Sequence, residues 1–307
     1  MKKHFFLYIL FFLILLPSLS FAQRWKKKPY ELVYGLGFTN FNGDVGSPEN
    51  KGIGKYYWFH LASTRPVFFV GGRYYFLDRL SVRLNFMYGI IVADDHENGA
   101  AWTGRNLNFK SSIIEASSQI EFSIVKEKRK RNIFYNIRGS RSILSNINIP
   151  TYLFVGVGGF YFNPKGKYKG EWYHLQPFGT EGQGLPGGDK KYNRIALTIP
   201  FGIGFKYKIA DYTYLGFEAG YRFTFTDYID DVGGKYYDTQ EILNAYGEEA
   251  AALSFRSHTL DNIKPGYTSG GSTKGGEFID TYQFFLFNIS RKLKTGRRGL
   301  PKFTPAF

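Results

Sequence analysis

Residues 109–125 read FKSSIIEASSQIEFSIV, and the alternation in this stretch sets the fold. Ile114, Ala116, Ile120, Phe122 and Ile124 fall on one face, and Glu115, Ser117, Gln119, Glu121 and Ser123 on the other. A period of two held over that length is a β-strand with one apolar and one polar face. It is also long enough to cross a membrane at a tilt, which takes about 9–11 residues.

Seven further stretches show the same habit. Upstream, 30–41 sets Tyr30, Leu32, Tyr34, Leu36 and Phe38 against Glu31, Gly35, Gly37 and Thr39. Residues 67–76 place Phe68, Val70, Tyr74 and Phe76 on one side. After the tight connection Leu77-Asp78-Arg79, residues 80–92 set Leu80, Val82, Leu84, Phe86, Tyr88, Ile90 and Val92 against Ser81, Arg83 and Asn85. Downstream, 151–162 is Gly-rich on one side, and 195–208 sends Ile195, Leu197, Ile199, Phe201, Ile203, Phe205 and Tyr207 outward. Residues 213–227 set Leu215, Phe217, Tyr221, Phe223 and Phe225 against Gly216, Glu218, Gly220, Arg222 and Thr224. The last stretch, 281–293, alternates weakly, being apolar on both faces from Phe284 to Phe287. Pro200 lacks a ladder donor inside the 195–208 stretch, which predicts a bulge or an inward kink there.

Strands of this kind in lipid tolerate no open edge, so they must close into a barrel. An even antiparallel count pairs the first strand with the last and leaves both termini periplasmic. The expected fold is all-β, an eight-stranded antiparallel transmembrane β-barrel with long outer loops. A secreted soluble barrel or sandwich would share the period, but soluble sheets do not expose so many large aromatics on one face. The 24 Tyr and 31 Phe suit aromatic girdles at two membrane–water boundaries. A mean hydropathy of -0.27 fits a wall in which alternate residues face lipid and a polar interior.

The N-terminus reads as a secretory signal. Lys2 and Lys3 precede an apolar run over 5–16, Pro17 breaks it, and Ser20-Phe21-Ala22 forms a small-x-small cleavage site before Gln23. The other reading is an N-terminal membrane anchor, for which the run is short. The expected layout is a signal peptide over 1–22, a barrel over 23–293 and a basic periplasmic tail over 294–307. The chain has no cysteine, which excludes a lipidated N-terminus, a disulfide framework and thiolate–metal sites.

Short turns fall at 77–79 and 209–212, and long connections, assigned to the outer side, at 42–64, 94–108, 163–194 and 227–280. The connection 126–149 breaks that pattern by being long on the periplasmic side. The net charge of +15 is uneven. Basic residues gather on the periplasmic pieces, notably Lys126, Lys128, Arg129, Lys130, Arg131, Arg297 and Arg298. The last outer connection is acidic, with Asp227, Asp230, Asp231, Asp238, Glu241, Glu248, Glu249 and Asp261. Charged flanks can simply solvate strand ends. They can also dock an acidic periplasmic partner or anionic headgroups, because a clustered single-sign field steers association. Nucleic acid is disfavoured, since the basic residues lie on flanks and form no recognisable binding module.

Within the barrel, Glu115, Glu121 and Glu218 should meet Arg73, Arg83 and Arg222 in a cross-lumen ion network, because buried charge is tolerable only when paired. Side chains just fill an eight-stranded barrel, so a solute channel is not expected, although a proton or ion path through these charges stays open. The Gly-rich run 182–188 lacks the Lys-Ser/Thr ending of a phosphate loop and reads as a turn-rich outer loop. Asp227, Asp230 and Asp231 are weak candidates for calcium, with loop solvation or capping as the alternative. His4, His60, His96, His174 and His258 show no metal-ligand spacing. No cofactor and no small-molecule substrate is indicated, and no local motif marks a Ser/His or Asp/His pair.

Several segments resemble the PorG-like outer-membrane β-barrel family of Bacteroidetes. They are Phe41-Asn42-Gly43-Asp44, Arg105-Asn106-Leu107-Asn108-Phe109, Phe160-Tyr161-Phe162-Asn163-Pro164, the run Leu175 to Gly184 containing Thr180-Glu181-Gly182-Gln183-Gly184, Ile199-Pro200-Phe201-Gly202-Ile203-Gly204, and Arg222 to Val232 containing Thr226-Asp227-Tyr228-Ile229-Asp230-Asp231-Val232. The resemblance spans roughly 30–240 and implies an OmpA/OmpX-like barrel in the outer membrane. In members tied to type IX secretion and gliding it also implies a non-catalytic anchor for a periplasmic ring or complex. A surface ligand-binding or passive transport barrel, and a membrane-embedded lipid-modifying enzyme, are the alternatives.

Overall fold

The polar face of each alternating stretch turns inward and the apolar face outward. In the computed structural model, which describes residues 29–46, 61, 63–98, 105–125, 149–256, 268–275, 279–295 and 300–302, the wall is built from eight strands. They are β1 (Tyr30–Asn42), β2 (Arg65–Tyr75), β3 (Leu80–Asp94), β4 (Asn108–Val125), β5 (Thr151–Tyr168), β7 (Ile195–Ala210), β8 (Thr213–Thr224) and β9 (Thr281–Lys292). The short β6 (Glu171–His174) makes a hairpin with the C-terminal end of β5 and is not part of the wall. Neighbours pair antiparallel in the order β4-β3-β2-β1-β9-β8-β7-β5, and β4 also pairs with β5, so the sheet closes. First and last wall strands meet in the pair β1–β9, from Glu31↔Lys292 to Asn42↔Thr281.

Exposure follows the period. Leu36, Phe68, Leu84, Phe86, Ile120, Val155 and Leu197 point outward, while their neighbours Glu31, Arg73, Arg83, Glu115, Glu121 and Glu218 are buried within. Water does not solvate so continuous an apolar belt, and hydrocarbon does. Among the described residues no helix is long and apolar enough to cross a membrane, which says nothing of a crossing made by strands.

The structure departs from the sequence reading in three places. No bulge forms at Pro200: β5 and β7 keep one register from Val155↔Phe201 to Gly158↔Thr198, with the rungs between left unpaired. The missing donor is accommodated by opening the ladder on one side while Pro200↔Arg222 pairing with β8 continues. Bulges lie instead near the strand ends, at Ser123/Val125 and Lys208/Ala210. Next, β5 runs past Phe162 to Tyr168, whereas β8 stops at Thr224 and not at Asp227. The Thr224 hydroxyl donates to the Asp280 carbonyl, and beyond it the chain folds across the barrel mouth.

Last, the long connections are not plain loops. They contain the single-turn α1 (Leu175–Phe178), α2 (Thr239–Tyr246) and α3 (Glu248–Ser254). The Asp238 carboxylate caps α2 by accepting from the backbone of Gln240 at 2.7 Å and Glu241 at 3.4 Å. Ile242, Ala250 and Ala251 make a small core between α2 and α3. A larger core fills the lumen away from the short turns and continues into this cap through Phe41, Phe109, Phe162, Leu175, Ile229 and Leu253. At the C-terminal end, Lys294–Thr295 pairs with Pro301–Lys302 in a separate two-stranded ladder.

Candidate functional site

The turn end of the lumen is stopped by ion pairs. Arg73 on β2 grips Glu121 on β4 with two nitrogens, Nη2 at 3.0 Å from Oε1 and Nε on Oε2, while its Nη1 donates to Glu31 on β1. Lys206 on β7 reaches Glu31 at 2.9 Å and Tyr75 at 2.7 Å, and Tyr75 donates to Glu31 at 2.8 Å. One layer further out, Arg83 on β3 crosses to Glu218 on β8, with Nη2 at 2.6 Å from Oε2 and Nη1 on Oε1. Arg83 also pairs with Glu121 at 3.1 Å and donates to Gln119 at 2.9 Å. Tyr152 and Asn288 add donors to Glu218 at 2.5 Å and 3.3 Å. Bidentate guanidinium–carboxylate pairing recovers more of the desolvation cost than a point charge does.

Arg222 and Glu115 form the third layer. Their contact is looser, 3.3 Å, with Tyr282 donating to Glu115 at 3.1 Å and the Phe284 ring lying 4.5 Å from the guanidinium. The structure thus brings Arg73, Arg83, Glu121 and Glu218 into one network and sets Arg222 with Glu115 beside it. Sequence reading missed Glu31, Lys206, Tyr75 and Tyr152. The signal for the first two was present: Glu31 lies on the polar face of its stretch, and Lys206 has the parity of the lumen-facing residues in 195–208.

Above the charges, Phe160, Phe162, Tyr282 and Phe284 are fully buried, and the cap closes over them. At this mouth, carboxylates gather. Asp95 is matched by Arg105, whose Nη2 and Nε lie 2.7 Å and 2.9 Å from it. Asp230 accepts from the backbone of Val45 at 2.9 Å and Val232 at 3.0 Å, and Asp280 from Ile229 at 2.7 Å. Burial, followed by the charge of Asp44, pushes Asp230 well above the ordinary carboxylate range, and Asp280 is raised in the same way by burial and then by Asp230, Asp227 and Asp44. Asp227 is pushed up to about 7, by burial first and then by Asp44 and Glu181.

The triad Asp227, Asp230 and Asp231 does not converge on a cation. Asp231 adopts the left-handed conformation, with φ 68°, and its carboxylate serves Thr180 and Tyr192, the latter at 2.6 Å. Asp230 faces Val45 instead. Among the described residues no group of three or more His, Asp or Glu is placed to hold a metal ion. Asp230 and Asp231 are not solvated loop residues either, since both are buried, while Asp227 is half-buried. Lys126, Lys128, Arg129, Lys130, Arg131, Arg297 and Arg298 lie outside the described residues, as do the signal segment, His60 and His258. His96 and His174 contact different asparagines, Asn106 at 2.6 Å and Asn163 at 3.0 Å, and belong to different parts of the cap.

Residues 185–247 match DUF6089, a domain of unknown function. The matched segment runs from the Gly-rich turn through β7, β8 and α2. No curated protein matches the chain. Among solved structures, the outer membrane protein OprG of Pseudomonas aeruginosa is similar at 10% identity, with a TM-score of 0.37 over 87% of this chain and 98% of that one. Neisserial surface protein A gives 9% identity and a TM-score of 0.35, over 86% and 97% of the two chains. Ail, the attachment invasion locus protein of Yersinia pestis, gives 9% and 0.34, over 85% and 97%.

Proposed function

We propose that this chain is a non-catalytic outer-membrane barrel that anchors a periplasmic ring or complex of a type IX secretion or gliding machine. The observation that carries the reading is the stopped lumen. Three layers of paired charge and a folded cap leave the barrel little to conduct, so its two ends are the surfaces it can offer. The apolar outer belt supports a membrane location, and the resemblance to PorG-like barrels supports the periplasmic partner. The basic side chains at 126–131 and at Arg297 and Arg298, placed beneath the barrel by the sequence pattern, would hold an acidic complex in register.

Crosslinking and pull-down from intact envelopes tests this. Charge reversal across 126–131 is expected to release the periplasmic partner while heat-modifiable gel migration, the sign of a folded barrel, stays normal. A partner recovered unchanged after the reversal would count against the anchor. The ordered cap favours a second reading, a surface that binds an external ligand. A steady conductance in planar bilayers would argue for transport over both.

A further inference from the structure

We propose that the outer wall of β4, β5 and β6 carries a seat for the phosphate groups of outer-leaflet lipid, formed by Lys110, Lys165, Lys167, His174 and Arg194. These residues are scattered in sequence, and the register gathers them. Lys110 lies directly opposite Lys165 across β4–β5, and Lys165 directly opposite His174 across β5–β6. Lys167 is on the same face, two residues beyond Lys165. Arg194, just before β7, lies over the Tyr161 ring at 5.7 Å and donates to Asn163 Oδ1 at 3.2 Å, the same oxygen that His174 contacts at 3.0 Å. Asn163 thereby holds a guanidinium and an imidazole side by side. Lys110 also lies 5.9 Å from the ring of Trp172, an exposed aromatic at the hairpin.

No carboxylate of the described residues forms an ion pair with these cations. By register the nearest carboxylates are Glu171, which lies opposite Tyr168 and so on the other face of the hairpin, and Asp94, which accepts from the His96 backbone at 2.9 Å. Burial, and then the charges of Lys165 and Arg194, lower His174, as expected where positive groups crowd without a counterion. A multidentate cluster of Arg and Lys is the usual chemistry for phosphate.

Position makes the phosphate a lipid's. The cluster faces outward, in line with the belt residues Ile114, Ile120, Leu153 and Val155 on the same two strands and beyond their outer end. The proposal rests on the reading of the long connections as the outer side.

The test uses the full-length mature chain in phosphatidylcholine nanodiscs doped with lipid A, either bisphosphorylated or enzymatically dephosphorylated. The wild type is expected to retain the phosphorylated form at least about fivefold over the other. That ratio should fall to about one in K110Q/K165Q/K167Q/R194Q, stay high in the turn-end control K208Q, and survive 10 mM inorganic phosphate. If the quadruple variant fails to fold, K165Q/K167Q is read the same way and should lose at least half of the preference. No preference in the wild type, or a preference kept by the variants, overturns the seat. Loss of the preference to inorganic phosphate assigns the site to free anion and overturns the lipid. Orientation is read separately with E171C, the chain's one thiol, and an impermeant maleimide on intact cells. Absence of labelling there, with the lipid preference intact, overturns the outer placement and not the cation cluster.

Discussion

The two ends of the barrel interior solve one problem in different ways. At the turn end, Glu31, Glu121 and Glu218 are each met by a guanidinium or an ammonium held by a neighbouring or facing strand. At the capped mouth, Asp227, Asp230 and Asp280 have no ion-pair partner among the described residues, and neighbouring carboxylates, Asp44 among them in each case, raise them further. Both places exclude water. The first neutralises its carboxylates with fixed cations, and the second gives Asp230 and Asp280 backbone N–H donors while burial and mutual repulsion favour the protonated forms of all three. Buried Oδ1 atoms of Asp227 and Asp280 without a hydrogen-bond partner fit the protonated state. The turn end is therefore a rigid plug, and the mouth is a cap whose stability depends on pH.

Breaking the plug should have the largest effect. R83M removes the main cation from Glu218 and leaves it buried with only Tyr152 and Asn288. A loss of about 3–5 kcal/mol is expected, read from denaturant unfolding in bilayers followed by heat-modifiable migration. R83M/E218L should recover most of it, because replacing both partners by apolar groups removes the uncompensated charge. An unchanged midpoint in R83M would erase the distinction between the two ends.

The cap can be disturbed alone. Gly182 has φ +79°, and a Cβ there would run into the Tyr237 ring. G182A should cost about 1–3 kcal/mol, seen as faster proteolysis or hydrogen exchange over 179–190 with barrel migration untouched. A variant that also loses heat modifiability would mean that cap and barrel fold as one unit.

The smallest effect is the most diagnostic. Asp227 moves from an ordinary 3.8 to about 7, so the folded cap holds this proton more tightly than the unfolded chain. Stability from this group is greatest below the unfolded value and falls as pH rises between about 4 and about 7, the reverse of a salt-bridged carboxylate. Exchange over 227–232, corrected for intrinsic rates, should be slower at pH 5 than at pH 8. D227N should shrink that difference, with Asp230 and Asp280 carrying the remainder, and exchange that slows with rising pH would reverse the sign argued for the mouth.

Much of this was legible in the chain. The alternation in 109–125 placed β4 within one residue, and the parity of Arg73, Arg83, Glu115, Glu121, Glu218 and Arg222 put all six inside. The polar faces were also enough to indicate Glu31 and Lys206, had the same parity been followed to the strand ends. The cap was not legible. Its helices are short, and α2 and α3 bury only Ile242 and a few alanines against one another, so no long periodic signal announces them. Asp230 and Asp231 looked like one cluster because they are adjacent, yet a single left-handed residue turns their carboxylates to different partners. The outer cations stayed hidden because 84 residues separate Lys110 from Arg194, and only strand register brings them level.

By itself, then, the sequence determined the wall: a two-residue period ties each side chain to one face, and lipid outside with water excluded inside leaves closure as the stable outcome. Which charges meet, how the mouth is covered and which cations share a level were decided by tertiary structure. Those depend on the stagger between strands and on the dihedral angles of a few turn residues, and neither is encoded in an alternation of apolar and polar residues.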